Sequence, residues 1–202
     1  MSPDDAKPIE HNVFLNVPFD KGYEQLFITL VGSLVCLGLS PRCALEISDV
    51  GQGRLNKIQK LLEECRVSIH DLSRVGVPVR FNMPFELGLA YSHYLYGSHH
   101  DVILLESKSH RLAKTLSDLR WIDPLVHQNR CGLLVTRVLD AFVVEGKETD
   151  PVRVNKVAKR LRKVAEQIKS DYSIPDIYCR SAYLALVSGA VDLAVEEGLI
   201  TG

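Results

Sequence analysis

The chain has 202 residues, of which 46% are hydrophobic and 24% are charged, a composition typical of a folded globular protein. Because 24 Lys and Arg stand against 25 Asp and Glu, bulk charge gives no reason to expect nucleic acid or an anionic membrane as partner. The sequence has no apolar run of about 18 residues and no Cys-x-x-Cys among its five cysteines, so we expect a cytoplasmic protein without a membrane span or signal peptide.

Short apolar runs alternate with helical patterns as far as residue 143. The predicted strands are 13–17, 39–47, 67–72, 101–105 and 124–127, and the predicted helices are 22–37, 55–65, 82–96, 110–119 and 131–143. Asn82 and Asn129 are the expected N-caps of the third and fifth helices. This alternation predicts crossover units and a parallel sheet covered on both faces. The expected fold is an α/β, flavodoxin-like, doubly wound sheet of about five strands.

A second pattern begins at Asp150, where an aspartate followed by Pro151 is typical of a helix start. The helix that follows carries one apolar stripe and is expected to end at Ile174 and Pro175. A very apolar helix is predicted at 181–199. The sequence therefore predicts an α/β domain at 11–148 and a C-terminal helical extension at 150–202, which must be buried against the sheet domain or a second copy of the chain. The apolar last helix favours a homo-oligomer formed through this extension.

Candidate site residues follow from the expected topology. In open parallel sheets, ligands bind beyond the carboxyl ends of the strands, where the strand order reverses. Here that point lies between the first and third strands. The loop after the first strand contains Asn16, Phe19 and Asp20, and the third strand leads into Asp71 and Ser73.

Glu86 is a lone carboxylate near the start of the third predicted helix, among apolar neighbours. An ionised carboxylate in the cleft could stabilise an oxocarbenium-like sugar cation or attack its anomeric carbon, as carboxylates do in glycosidic chemistry. Glu86 could equally do no more than complement the positive end of the helix dipole. The local sequence leaves both interpretations open.

Residues 85–90, Phe-Glu-Leu-Gly-Leu-Ala, follow a strand that ends in Asp71. This stretch resembles the glutamate-containing helix of nucleoside 2-deoxyribosyltransferases and of Toll/interleukin-1 receptor (TIR) domains that cleave NAD. The resemblance covers about residues 11–145, and residues 13–20 and 70–90 are most similar to bacterial TIR-like proteins, many of which are thought to act in phage defence. The sequence differs at Asn82, where many TIR domains have tryptophan, and it lacks the aspartate-rich deoxyribosyltransferase segment.

The resemblance implies an enzyme that breaks or exchanges an N-glycosidic bond, most of all the nicotinamide bond of NAD, with no metal or other cofactor. It implies that Glu86 and Asp71 are catalytic. It implies that Asn16 and Phe19 belong to the loop that encloses substrate. Together with Asp20, Ser73 and Asn82 of the expected cleft, they are the predicted substrate-binding residues. The alternative is a non-catalytic TIR-like module that senses a nucleotide or binds partner proteins, since a fold does not determine a function.

Other candidate residues are weaker. His70 alternates with Asp71 along the strand, so it points to the opposite face and is interpreted as a packing histidine. His127 could approach the same cleft or lie exposed in a loop. Zinc-ligand spacing and a Walker loop are absent from the sequence. The basic helix at 153–169 is interpreted as a solvated outer face rather than a nucleic-acid surface.

Overall fold

The central sheet consists of five parallel strands. The structure, a computed structural model, describes residues 9–47, 53–74, 81–96, 100–116, 118, 122–142 and 149–201. The strands are β1 (Asn12–Asn16), β2 (Ser40–Arg42), β3 (Val67–Asp71), β4 (Asp101–Glu106) and β5 (Leu125–Val126). Their order is β2-β1-β3-β4-β5, and every neighbouring pair is parallel. The predicted flavodoxin-like fold class is confirmed, with the order reversing between β1 and β3.

Helices cover both faces of the sheet. They are α1 (Glu24–Cys36), α2 (Arg54–Glu63), α3 (Asn82–Leu95), α4 (Leu112–Thr115), α5 (Cys131–Ala141), α6 (Pro151–Tyr172) and α7 (Arg180–Glu196). Val13 and Leu15 belong to the hydrophobic core that includes α1 and α5, whereas Phe14 packs with Ile58 of α2 and Ala90 of α3. This alternation follows from strand geometry, in which successive side chains point to opposite faces.

Helix α1 lies between the sheet and the C-terminal helices. All residues from Leu26 to Cys36 are buried, because α6 and α7 contribute Leu161, Ala165 and Leu186 to the same core. Helices α1 and α6 approach closely where glycine removes a side chain: a Cβ at Gly32 would lie 3.1 Å from Leu161 Cδ2. The apolar stripe of α6 is therefore covered within the chain. The division into two domains and the homo-oligomer stay predictions.

The ends of some elements differ from the predictions. The second strand is shorter than predicted, because a 3₁₀ turn at Ala44–Glu46 follows it and Glu46 Oε1 accepts the backbone N–H of Cys43 at 2.8 Å. Asp150 caps α6 as predicted, since its carboxylate accepts the Val152 N–H. That helix ends at Tyr172, before the predicted Ile174, and Ser173 adopts a left-handed φ of 53° at its C-cap.

Two predicted helix caps are wrong. Asn82 is the first residue of α3 rather than its cap, and the capping position is Phe81, which makes no side-chain hydrogen bond there. Arg130, not Asn129, precedes α5. Asn129 instead has a left-handed φ of 55°, which places it in a turn. Residues 48–52 and 75–80, which connect predicted elements, lie outside the described residues. None of the helices in the described ranges is both long enough and apolar enough to span a membrane.

We expect Leu161→Ala to lower the free energy of unfolding by about 2–5 kcal/mol, because it opens a cavity where α1, α6 and α7 meet. Chemical denaturation of the purified chain measures the effect. Lys159→Ala is the control, since Lys159 is exposed on the same helix and its truncation should change stability by less than about 0.5 kcal/mol. An unchanged stability in Leu161→Ala would contradict the packing of α6 on α1.

Candidate functional site

Glu86 lies on the second turn of α3, beside the first residue of α2. Because α2 follows β2 and α3 follows β3, both helices begin at the carboxyl edge of the sheet. Arg54 donates two hydrogen bonds to Glu86 Oε1, from Nε at 3.2 Å and from Nη2 at 3.0 Å. Glu86 is 3% exposed, whereas the Arg54 side chain is 58% exposed. The carboxylate is therefore held by a charge-assisted pair that opens towards solvent on the arginine side.

The two oxygens of Glu86 differ in their contacts. Both Arg54 bonds go to Oε1, and Oε2 accepts no hydrogen bond from the residues that the structure describes. An arginine that binds one oxygen fixes the orientation of the carboxylate and leaves the second oxygen without a hydrogen bond to the described residues. We name Glu86, Arg54 and Asn16 together the α3 site.

Asn16 connects the end of β1 to the first turn of α3. Its side-chain amide donates to the backbone carbonyl of Met83 at 3.2 Å and to His70 Nδ1 at 2.9 Å. Both amide hydrogens are thus used inside the chain, and Asn16 is buried. Its predicted role in substrate binding stays a prediction, while its visible contacts position α3 against the sheet.

His70 begins a buried chain of hydrogen bonds. Ser68 Oγ lies 2.9 Å from His70 Nε2 and 2.8 Å from His100 Nε2, and His100 Nδ1 lies 2.8 Å from the carbonyl oxygen of Cys65. A carbonyl accepts only, so His100 Nδ1 carries a proton and His100 Nε2 accepts from Ser68. Asn16 donates to His70 Nδ1, so His70 Nε2 donates to Ser68. All four hydrogen bonds, from Asn16 through His70, Ser68 and His100 to Cys65, can therefore form at the same time with both imidazoles neutral.

Burial determines the protonation of these two histidines. Desolvation, with a smaller effect of His100, lowers the pKa of His70 to about 3. Desolvation also lowers the pKa of His100, although its hydrogen bond to Cys65 acts in the opposite direction. The interpretation of His70 as a packing histidine on the face opposite Asp71 agrees with these contacts.

Asp71 lies on the other face of β3, in contact with Tyr23 just before α1 and with the segment after β5. Its Oδ1 accepts the backbone N–H of Ser73 at 2.8 Å. Its Oδ2 accepts the Tyr23 hydroxyl and lies 3.1 Å from His127 Nε2. Burial by itself would raise the pKa of Asp71, but the bonds from His127, Ser73 and Tyr23 outweigh it and lower that pKa. The same burial, together with Asp71, raises the pKa of Tyr23.

Asp71, His127 and Ser73 have the residue types of a hydrolase triad but not its geometry. Ser73 Oγ and Asp71 Oδ2 both contact Nε2 of His127, at 3.0 and 3.1 Å, whereas a triad uses the two ring nitrogens separately. Nδ1 accepts the backbone N–H of Asn129 at 3.0 Å. The turn that allows this bond has left-handed φ angles at Gln128 and Asn129. His127 is fully buried, so its interpretation as an exposed loop residue is wrong.

The loop after β1 contacts the connection between α6 and α7. The ring of Phe19 lies 5.4 Å from the ring of Tyr178, and the Tyr178 hydroxyl donates to the carbonyl of Asp20 at 2.9 Å. Asp20 Oδ1 also pairs with Arg74 Nη2 at 3.2 Å. Gly22 permits this approach, because a Cβ there would lie 2.7 Å from Arg74 Nη2. The C-terminal helices thus hold one of the two loops predicted to bind substrate.

The structure separates the predicted site residues into three groups. Glu86 and Asn16 belong to the α3 site, with Asn82 exposed one turn before Glu86. Asp71 and Ser73 lie in the buried network on the other face, and Phe19 and Asp20 contact Tyr178. Sequence reasoning missed Arg54, Tyr23 and Tyr178. The only local signal for Arg54 was its place at the start of the helix after β2, beyond the carboxyl end of that strand.

Comparisons with known proteins identify no family for this chain. No protein-family model matches the chain, and no curated protein matches it. The described residues hold no group of three or more His, Cys, Asp or Glu placed to bind a metal ion. The resemblance to TIR-like proteins and deoxyribosyltransferases stays a prediction.

We expect the free energy of unfolding to fall as the pH is lowered from 7 to 5. A histidine whose pKa is about 3 when folded and about 6.5 when unfolded stabilises the fold above pH 6.5, and acidification removes about 2 kcal/mol of that stability by pH 5. Denaturation at several pH values measures the slope. The exposed His11 provides the control variant His11→Gln, which should retain the slope, and equal stability at pH 7 and 5 would contradict neutral burial of His70.

We expect Asp71→Asn to be destabilising at pH 7 by about 1–3 kcal/mol, because the amide cannot accept all the donors that face the carboxylate. The lowered pKa of Asp71 means that its stabilisation is complete above its ordinary pKa and is lost as the pH falls through the lowered value. The difference between native and variant should therefore shrink below about pH 4. Asp140→Asn, at an exposed site on α5, is the matched control, and a difference independent of pH would contradict the network.

Proposed function

We propose that the protein cleaves or transfers the N-glycosidic bond of a nucleotide or nucleoside, with NAD as the principal candidate, and that Glu86 is the catalytic carboxylate. One observation carries the proposal: at the carboxyl edge of the sheet, Arg54 holds Glu86 Oε1 while Oε2 has no hydrogen bond among the described residues. This edge, beside the reversal of strand order, is where open parallel sheets bind ligands.

The chemistry of NAD suits a site with one carboxylate. The ribose C1′ of NAD is bonded to a positively charged pyridinium nitrogen. When that bond breaks, its electron pair goes to nitrogen, so nicotinamide leaves as a neutral molecule without needing a proton. The ribosyl cation left behind is stabilised or trapped by a carboxylate. Water then bonds to C1′ and releases a proton to solvent, or another acceptor takes the ribosyl group in a transfer reaction.

An ordinary nucleoside makes a greater demand on the site. Its base leaves as an anion unless an acid protonates it, so glycosidic enzymes commonly pair an acid with the second carboxylate. The hydrogen-bond partner of Glu86 among the described residues is an arginine, which cannot act as that acid. This difference supports NAD over a neutral nucleoside as substrate.

Asp71 has a supporting role in this proposal. Both of its oxygens are engaged by Ser73, Tyr23 and His127, and its side chain is fully buried. Its partners lie on the face of the sheet opposite the α3 site. We therefore assign it to positioning of the loop after β3, in place of the catalytic role that the resemblance implies.

The biological setting follows the resemblance. The protein would act in the cytoplasm, where NAD is abundant and its five free cysteines stay reduced. The resemblance to bacterial TIR-like proteins extends the proposal to antiviral defence. A homo-oligomer formed through the C-terminal helices belongs to the same proposal, so activity should be measured over a range of protein concentrations.

We expect Glu86→Gln to reduce NAD cleavage by about 10²–10³-fold or more, because the neutral amide cannot stabilise the ribosyl cation. Release of nicotinamide by the purified full chain, followed by chromatography, measures the rate. The matched control is Glu63→Gln, an exposed position on α2, which should keep the native rate. Absence of turnover by the native chain at every concentration, or an equal rate in Glu86→Gln, would overturn the proposal, and tight nucleotide binding without turnover would favour the non-catalytic module.

A further inference from the structure

The guanidinium group of Arg54 has hydrogen-bond donors that its pair with Glu86 does not use. Of its five N–H groups, one on Nε and one on Nη2 point to Glu86 Oε1. Within the described ranges, the two N–H groups of Nη1 and the second of Nη2 have no acceptor. The side chain is 58% exposed. Three donors of a fixed, planar cation therefore face solvent directly beside the proposed catalytic carboxylate.

Two exposed aromatic rings lie beside the same end of α3. Phe81 is 77% exposed and Phe85 is 57% exposed, and their spacing of four residues places them on one helix face. Phe85 precedes Glu86, so its side chain projects about 100° around the helix from the carboxylate. The Glu86 side of α3 packs towards α2, as its pair with Arg54 and the packing of Leu89 near Ile58 show. Phe85 therefore lies on the exposed surface of α3, next to the side of the helix that faces α2.

We propose that Arg54 is a specificity-determining residue that binds a phosphate of the substrate, so that the site takes a nucleotide with its base against Phe85 rather than a free nucleoside. This inference rests on the function proposed above for Glu86. A guanidinium group matches the oxygens of a phosphate with two parallel hydrogen bonds. Bases stack on exposed aromatic rings with little dependence on sequence.

Charge balance supports a phosphorylated ligand. Glu86 is an anion, and a second anion could approach it only if a cation lies between the two charges. Arg54 contacts Glu86 with one edge and offers the other edge to the ligand, so it can separate the two negative groups. A neutral nucleoside would leave these donors to water and gain no charge-assisted bond.

The decisive experiment compares two ligands that differ only in a phosphate. The probes are the carbocyclic analogues of nicotinamide mononucleotide and of nicotinamide riboside, whose carbon ring cannot form an oxocarbenium ion, so calorimetry measures binding without turnover. We expect Arg54→Gln to weaken binding of the phosphorylated analogue by about ten- to hundredfold, from the loss of charge-assisted bonds. Binding of the unphosphorylated analogue should change by less than about threefold.

The ratio of the two affinities separates phosphate binding from the effect of Arg54 on Glu86. Displacement of Glu86 would weaken both analogues equally, because both carry the same ribose-like ring and base. Arg66→Gln is the matched control, because Arg66 is exposed just before β3, at the opposite edge of the sheet, and should leave both affinities unchanged. Equal losses for the two analogues in Arg54→Gln would overturn the inference.

The aromatic part of the inference has its own control. Phe85→Leu should weaken both analogues by a similar factor of about 5–100, because both carry the base that stacks. Tyr96→Leu removes a ring that is 86% exposed at the far end of α3 and should have no effect.

The failure of this inference and the failure of the proposed function give different results. If the chain prefers the phosphorylated analogue through Arg54 but never cleaves NAD, the nucleotide site is upheld and the proposed activity is rejected. If the native chain cleaves NAD but Arg54→Gln weakens the phosphorylated analogue no more than the unphosphorylated one, the proposed activity is upheld and the phosphate-binding role of Arg54 is rejected.

Discussion

Strand β3 carries Ser68, His70 and Asp71 into the centre of a sheet that is covered on both faces, and the surrounding structure satisfies each of these polar groups. A buried donor or acceptor without a partner costs about 1–3 kcal/mol, so their hydrogen bonds constrain every element they reach. On one face, His70 fixes Asn16 and, through it, the first turn of α3. On the other face, Asp71 fixes Tyr23 at the start of α1 and His127 after β5.

The position of the α3 site follows from this constraint. Asn16 sits opposite His70 in the β1–β3 register and holds the Met83 carbonyl, one turn before Glu86. Arg54 then fixes the carboxylate from α2. The hydrogen bond to the Met83 carbonyl and the ion pair with Arg54 together hold the Glu86 carboxylate in one orientation, which is the preorganisation that the proposed function requires.

Sequence reasoning predicted what depends on local pattern and could not predict what depends on long-range contact. The alternation of strands and helices gave the parallel sheet, Asp150 gave the start of α6, and period-two alternation placed His70 opposite Asp71. Arg54 and Glu86 are 32 residues apart on different helices, and Asp71 meets His127 only because β3 and β5 both flank β4. Asn129 looked like a cap, but its N–H is used by His127 in a left-handed turn, which composition does not reveal.

The C-terminal helices hold the loop after β1 in a way that their sequence did not suggest. Their apolar faces cover α1, which is buried from Leu26 to Cys36 and needs a second layer to exclude water. The connection between them places Tyr178 against Phe19 and the Asp20 carbonyl, while Arg74 links Asp20 to the segment after Asp71. The loops after β1 and β3 are thus tied to each other and to α6 and α7. Because Tyr178 lies in the connection between α6 and α7, the packing of these two helices on α1 contributes to the position of the loop after β1.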